Sequence, residues 1–98
     1  MKQSFELLKE ILEGQKGKVF YTEFYYKDSG DGATLSFGFE PDQITVDEID
    51  SDEKIINILE ENLLLSFSDK VYSWWLFKSH LFFLSKEDSD TYWIIEFL

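Results

Sequence analysis

Phe5, Leu8, Ile11 and Leu12 recur at the spacing of one helix face, and polar residues of "SFELLKEILE" fill the other. The pattern predicts a helix over 4–13, capped by Ser4, with Gly14 just past its end. From Lys18 the period changes. "KVFYTEFYY", 18–26, is aromatic and β-branched and reads as a strand. In it Phe20, Thr22, Phe24 and Tyr26 share one face, and Val19, Tyr21, Glu23 and Tyr25 the other. After a polar turn at 27–32, "ATLSFGF", 33–39, places Ala33, Leu35, Phe37 and Phe39 on one face. Residues 18–39 therefore predict a β-hairpin. Beyond Pro41, "DQITVDEI" gives a third strand with Ile44 and Val46 on one face.

"SDEKIINILEENLLL", 51–65, predicts a second helix with Ile55, Ile56, Leu59 and Leu63 as its buried stripe. Asp50 or Ser51 would cap it, and Asp52 and Glu53 would complement the helix dipole in the first turn. "VYSWWLF", 71–77, "LFFLS", 81–85, and "TYWIIEFL", 91–98, read as three further strands. A rival helix over 69–83 would use Val71, Trp75, Leu76 and Phe83, but the aromatic density favours strands. In a strand the adjacent Trp74 and Trp75 point to opposite faces, one to the core and one outward. The expectation is a single α+β domain over 1–98, a mainly antiparallel sheet with two helices against one face, in the order α-β-β-β-α-β-β-β.

Charge changes this picture more than composition does. The 98 residues carry a net −11 and no Arg. Residues 1–27 hold five Lys and four acids, residues 28–53 nine acids and no base, and residues 54–98 four Lys and seven acids. Solvated faces usually mix signs, and the 28–53 segment does not. Such a chain repels nucleic acid and anionic membranes, and its natural partner is a basic protein surface. Ten Phe, five Tyr and three Trp exceed the needs of a small core, so some are expected outside as binding anchors.

Little catalytic chemistry is on offer. There is no Cys, which excludes disulfides, thiolate metal sites and a Cys nucleophile and fits a reducing compartment. His80 is the only His, sits in "FKSHLFF" beside an expected turn, and has no Gly-x-Ser-x-Gly elbow to serve. "DSGDG" resembles the start of a Ca²⁺ loop, but its spacing puts Lys27 at the first ligand position and Gly38 where a bidentate Glu is required. No phosphate-cradling or dinucleotide motif occurs. No enzyme, no cofactor and no metal site are expected. The N-terminus lacks the pattern of a secretory signal, and no apolar run spans a bilayer, so the expected location is the cytoplasm.

In size, in the acidic segment at 28–53 and in aromatic richness, the chain resembles the small immunity proteins of bacterial toxin systems, those of contact-dependent growth inhibition and the barstar type among them. The resemblance covers the chain as a whole and carries no motif. It implies a monomeric inhibitor that occludes the basic cleft of a cognate nuclease toxin. A phage-encoded nucleic-acid mimic and a self-associating regulatory module are the alternatives. The candidate contact residues rest on charge and facing alone: Asp42, Asp47, Glu48, Asp50 and Asp52, with Tyr21 and Tyr25.

Overall fold

The computed structural model describes residues 4–27, 30 and 32–98. Positions 28, 29 and 31 of the expected 27–32 turn, Asp28 and Asp31 among them, lie outside the described residues. The first helix, α1, runs Phe5–Glu13, and the Leu7 N–H donates to the Ser4 Oγ at 3.1 Å, as the capping expectation required. Phe5, Leu8 and Leu12 are its buried residues.

Eight strands follow among the described residues: β1 Phe20–Tyr25, β2 Leu35–Phe39, β3 Gln43–Asp50, β4 Glu53–Glu60, β5 Leu63–Ser68, β6 Tyr72–Phe77, β7 His80–Ser85 and β8 Tyr92–Phe97. They form two antiparallel sheets, one of five strands in the order β2-β1-β8-β7-β6 and one of three in the order β3-β4-β5. The described residues are thus mostly antiparallel sheet with one helix.

The second helix predicted over 51–65 is replaced by the β4–β5 hairpin. Two physical features decide it. Ile55, Ile56 and Ile58 are β-branched and stiff at χ1, which favours the pleated surface. Ile56 and Ile58, and then Leu65 and Phe67, alternate into the core with period two. Glu61 and Asn62 are left as a two-residue turn between the paired Glu60 and Leu63. The helical stripe is split as a result: Ile56 faces the core, while Ile55 and Leu59 face the other way. The rival helix at 69–83 is likewise excluded by the β6–β7 pairing, in which Trp74 faces Phe83 and Trp75 faces Phe82. Trp74 is 6% exposed and Trp75 56%, the opposite facings expected of adjacent strand residues.

The chain changes sheets twice. Pro41 is buried where β2 ends, and the Asp42 N–H donates to the Leu59 carbonyl at 2.8 Å, which docks the segment beside β4. After β5, the Lys54 N–H donates to the Asp69 carboxylate at 3.0 Å, and the chain returns to the larger sheet. Phe20, Ile95, Phe97, Leu81 and Phe83 from the five-stranded sheet share one buried cluster with Ile44, Ile56, Ile58 and Phe67 from the three-stranded sheet and with the α1 stripe. α1 packs against β3 and β4. One sheet with helices against it, the simplest architecture expected, becomes two sheets around one core, because β4 and β5 need a layer of their own. No described helix is long and apolar enough to cross a membrane.

Candidate functional site

Two surfaces carry the residues singled out in the sequence. The first is the acidic hairpin β3–β4. β3 strand alternation sends Asp47 and Glu48 to opposite faces. Asp47 lies on the outer face of the three-stranded sheet, where its carboxylate accepts from Asn57 Nδ2 at 2.7 Å. Asn57 Nδ2 also reaches Thr45 Oγ1 at 3.2 Å, and Asn57 Oδ1 accepts from Ser66 Oγ at 2.6 Å. One side chain therefore ties three strands together. Glu48 pairs in register with Lys54, which bonds Glu6 of α1 at 2.9 Å. The hydrogen bond to Glu6 holds the Lys54 ammonium above its ordinary pKa, and Glu48 and Asp69 add to the effect.

Asp50 and Asp52 cap no helix, because none begins there. Asp50 ends β3, and its carboxylate accepts from the Asp52 N–H at 3.0 Å to close the turn into β4. Hydrogen bonds from Asp52, with Lys70 nearby, keep Asp50 below the usual carboxylate range. Asp52 in turn pairs with Lys70 at 3.4 Å, and that bond raises the Lys70 pKa. A polar cavity of about 330 Å³ lies between this turn and the start of α1, with Glu6, Asp52, Lys54 and Asp69 on its walls. Asp42 is exposed, and its carbonyl accepts from Lys16 at 3.4 Å. The segment that contains no base is thus approached in space by Lys16, Lys54 and Lys70. Its five candidate acids are distributed over a strand, a turn and a loop. Among the described residues no three His, Cys, Asp or Glu side chains are placed to hold a metal ion.

The second surface is the outer face of the five-stranded sheet. Tyr21, Glu23 and Tyr25 project from β1, and register places Glu96, Ile94 and Tyr92 of β8 directly across from them. β7 adds His80, Phe82 and Leu84, and β6 adds Trp75 and Phe77. α1 sits on the other sheet's strands, so helix cover does not account for the Tyr21 and Tyr25 rings. The Tyr25 and Tyr92 rings stack with centroids 4.9 Å apart, and the Tyr25 hydroxyl donates to Glu23 at 3.2 Å. Partial burial first, and this bond second, raise the Tyr25 pKa. His80 Nε2 lies 3.5 Å from the Glu96 carboxylate. No Lys stands on the strand positions of this face. It offers an array of rings with two carboxylates set among them.

The sequence placed Tyr21 and Tyr25 on this face but missed Tyr92, Glu96, Phe82 and Ile94. The alternation in "TYWIIEFL" assigns those residues to one side of a strand. Only the long-range β1–β8 pairing brings that side beside Tyr21 and Tyr25. A comparison with protein-family models, with curated proteins and with solved structures finds no match for this chain.

Proposed function

We propose that this chain is a non-catalytic binding protein that neutralises a basic protein partner in the cytoplasm, as an immunity protein neutralises a nuclease toxin. The observation that carries the reading is the outer face of β1 and β8, where Tyr21, Tyr25 and Tyr92 surround Glu23 and Glu96 and, among the described residues, no Lys stands on the strand positions beside the carboxylates. Tyr rings supply large contact areas with few rotors to freeze. Carboxylates between them offer bidentate acceptors to Arg and point charges to Lys. Hydrogen-bond support from Tyr25 and proximity to His80 hold the two Glu in place. The rest of the −11 charge, with the β3–β4 hairpin as its densest stretch, serves at longer range by steering a cationic partner inward.

The test begins with the protein retained by the tagged chain from its producing strain. The expected partner is strongly basic, and its association slows on the order of tenfold or more as salt rises from about 50 mM to 500 mM, as steered encounters do. A neutral or acidic partner, or an association rate indifferent to salt, overturns the reading.

A further inference from the structure

The outer face of the five-stranded sheet is one surface with two kinds of side chain on it, and strand register arranges them in rows. Tyr21, Glu96, His80 and Phe77 follow one another across β1, β8, β7 and β6. Glu23, Ile94, Phe82 and Trp75 form the next row. Both acids thus lie toward β1 and β8, and the uncovered rings toward β7 and β6. Neighbouring strands stand about 4.8 Å apart, so two strand spacings, roughly 10 Å, separate Glu96 from Phe77 and Glu23 from Phe82. Trp75 and Phe77 are 56% and 58% exposed, and with Phe82 and Leu84 they line a shallow apolar cavity of about 450 Å³.

We propose that the basic partner meets both halves of this face with one mixed segment, in which Arg or Lys side chains stand over Glu23 and Glu96 and apolar side chains about 10 Å away cover Trp75, Phe77 and Phe82. This rests on the reading of the β1–β8 face as the site of a basic protein and adds what that protein carries beside its cations.

Size, direction and charge select this occupant. A stable interface covers about 800 Å² on each partner, and β1 and β8, six residues each, present on the order of 200 Å² of sheet. The contact must extend beyond them. Toward β2, the positions across from Tyr21 and Glu23 are Gly38 and Ser36, which offer little to bind. Toward β7 and β6 the same face offers the rings. Charge then fixes which way round the segment lies. Residues 70–86 contain three Lys, one His and no acid, and the Lys78 Nζ stands 5.5 Å from the Phe77 ring. A cation finds no carboxylate on β6 or β7 and finds two on β1 and β8. An acidic or wholly apolar partner would cover Glu23 and Glu96 without a counter-charge, which is costly. A second copy meets the repulsion of two chains of net −11. The mixed segment satisfies both halves, and covered rings beside the ion pairs keep water from them and strengthen them.

NMR titration of the isotope-labelled full chain with capped synthetic peptides tests the proposal. The first peptide repeats Arg and Leu three residues apart, about 10 Å in an extended chain, with Ser between. The second replaces Leu with Ser, and the third replaces Arg with Glu. The Arg–Leu peptide should bind on the order of tenfold more tightly than either of the others and should shift the Trp75 indole resonance. Trp75→Ser with Phe77→Ser should lower its affinity to that of the Arg–Ser peptide, leave the Arg–Ser affinity unchanged, and keep the circular dichroism spectrum. Equal wild-type affinity for Arg–Leu and Arg–Ser overturns the mixed segment and leaves the basic-partner reading standing. Equal affinity for Arg–Leu and Glu–Leu overturns the mixed segment together with the reading it rests on. No binding of any peptide overturns the mixed segment. So does a wild-type dimer in sedimentation velocity that the same double substitution dissolves, since a second copy then holds the rings. The wild-type ranking alone decides it if the variant does not fold.

Discussion

The ring of Phe67 on β5 stacks on the ring of Phe83 on β7, with centroids 3.7 Å apart and planes 4° from parallel. This contact joins the two sheets, and Trp93 and Tyr72 meet Phe67 edge-on at 5.5 Å each. Both Phe rings are buried. Phe67→Ala should cost about 3–5 kcal/mol through lost burial and the cavity left behind. Phe67→Leu should cost distinctly less, because most of the volume stays. Urea denaturation with unchanged m-values checks both. A Phe67→Ala loss below about 1 kcal/mol would mean that the sheets are not joined there.

Asn57 links β3, β4 and β5 through Thr45, Asp47 and Ser66. Asn57→Ala leaves three polar partners without it on a half-exposed face. The expected loss is about 1–2 kcal/mol, since water can take over part of the bonding. Asp47→Asn should cost less, because an amide oxygen can still accept from Asn57. The order of the two losses in urea melts is the measurement; an equal or reversed order contradicts the network.

Asp88 organises the turn between β7 and β8. Its carboxylate accepts from the Asp90 N–H at 3.0 Å and from the Thr91 hydroxyl at 2.9 Å. The Asp90 bond first, and the Thr91 bond second, hold its pKa below the ordinary value of 3.8. A depressed pKa means that the unfolded chain binds the proton more readily. The stabilisation is therefore fully present above about pH 4 and is lost as pH falls through the folded value. Melting temperatures of wild type and Asp88→Ala should differ at neutral pH and converge in acid. A gap that persists unchanged to about pH 2 would assign the effect to packing, not to the carboxylate charge.

The strands were legible where apolar and polar positions alternate, as in 20–25 and 43–50, and α1 was legible because its stripe and its Ser4 cap agree. The hairpin at 53–68 was misread because one local bond serves two structures. An Asp side chain that accepts an N–H two residues on can cap a helix or close a turn, and Asp50 with Asp52 fits either. The β-branched run of Ile55, Ile56 and Ile58 was the signal that separates them, and its period of two outweighs the loose helical stripe. The acid count over 28–53 was correct, but charge along a chain is not charge in space: Lys54 and Lys70 fold against Glu6 and Asp52. The aromatic face was half visible, as Tyr21 and Tyr25 lie on one strand while their neighbours arrive through long-range pairing, Tyr21 with Glu96 and Tyr25 with Tyr92.

The two surfaces make opposite forecasts for partner binding. If the β3–β4 hairpin is the contact, Asp47→Asn with Glu48→Gln should weaken it most. Alternation already places these two side chains on opposite faces, and Asn57 and Lys54 engage or neighbour them. That pair should act mainly through steering. Association should slow by a few-fold at low salt and match wild type at high salt, with dissociation unchanged. Glu23→Gln with Glu96→Gln removes the charges set among the Tyr rings, where a bound cation would be partly shielded from water. Dissociation should then quicken on the order of tenfold or more, and high salt should not restore it. Tyr92→Ala should do the same without altering charge, since it removes the ring stacked on Tyr25. Rate constants for the three variants at two salt concentrations, with melting curves to confirm folding, separate the surfaces. If the Glu pair and Tyr92→Ala dissociate as slowly as wild type while the β3 pair does not, the partner sits on the acidic hairpin, and the Tyr face has another occupant.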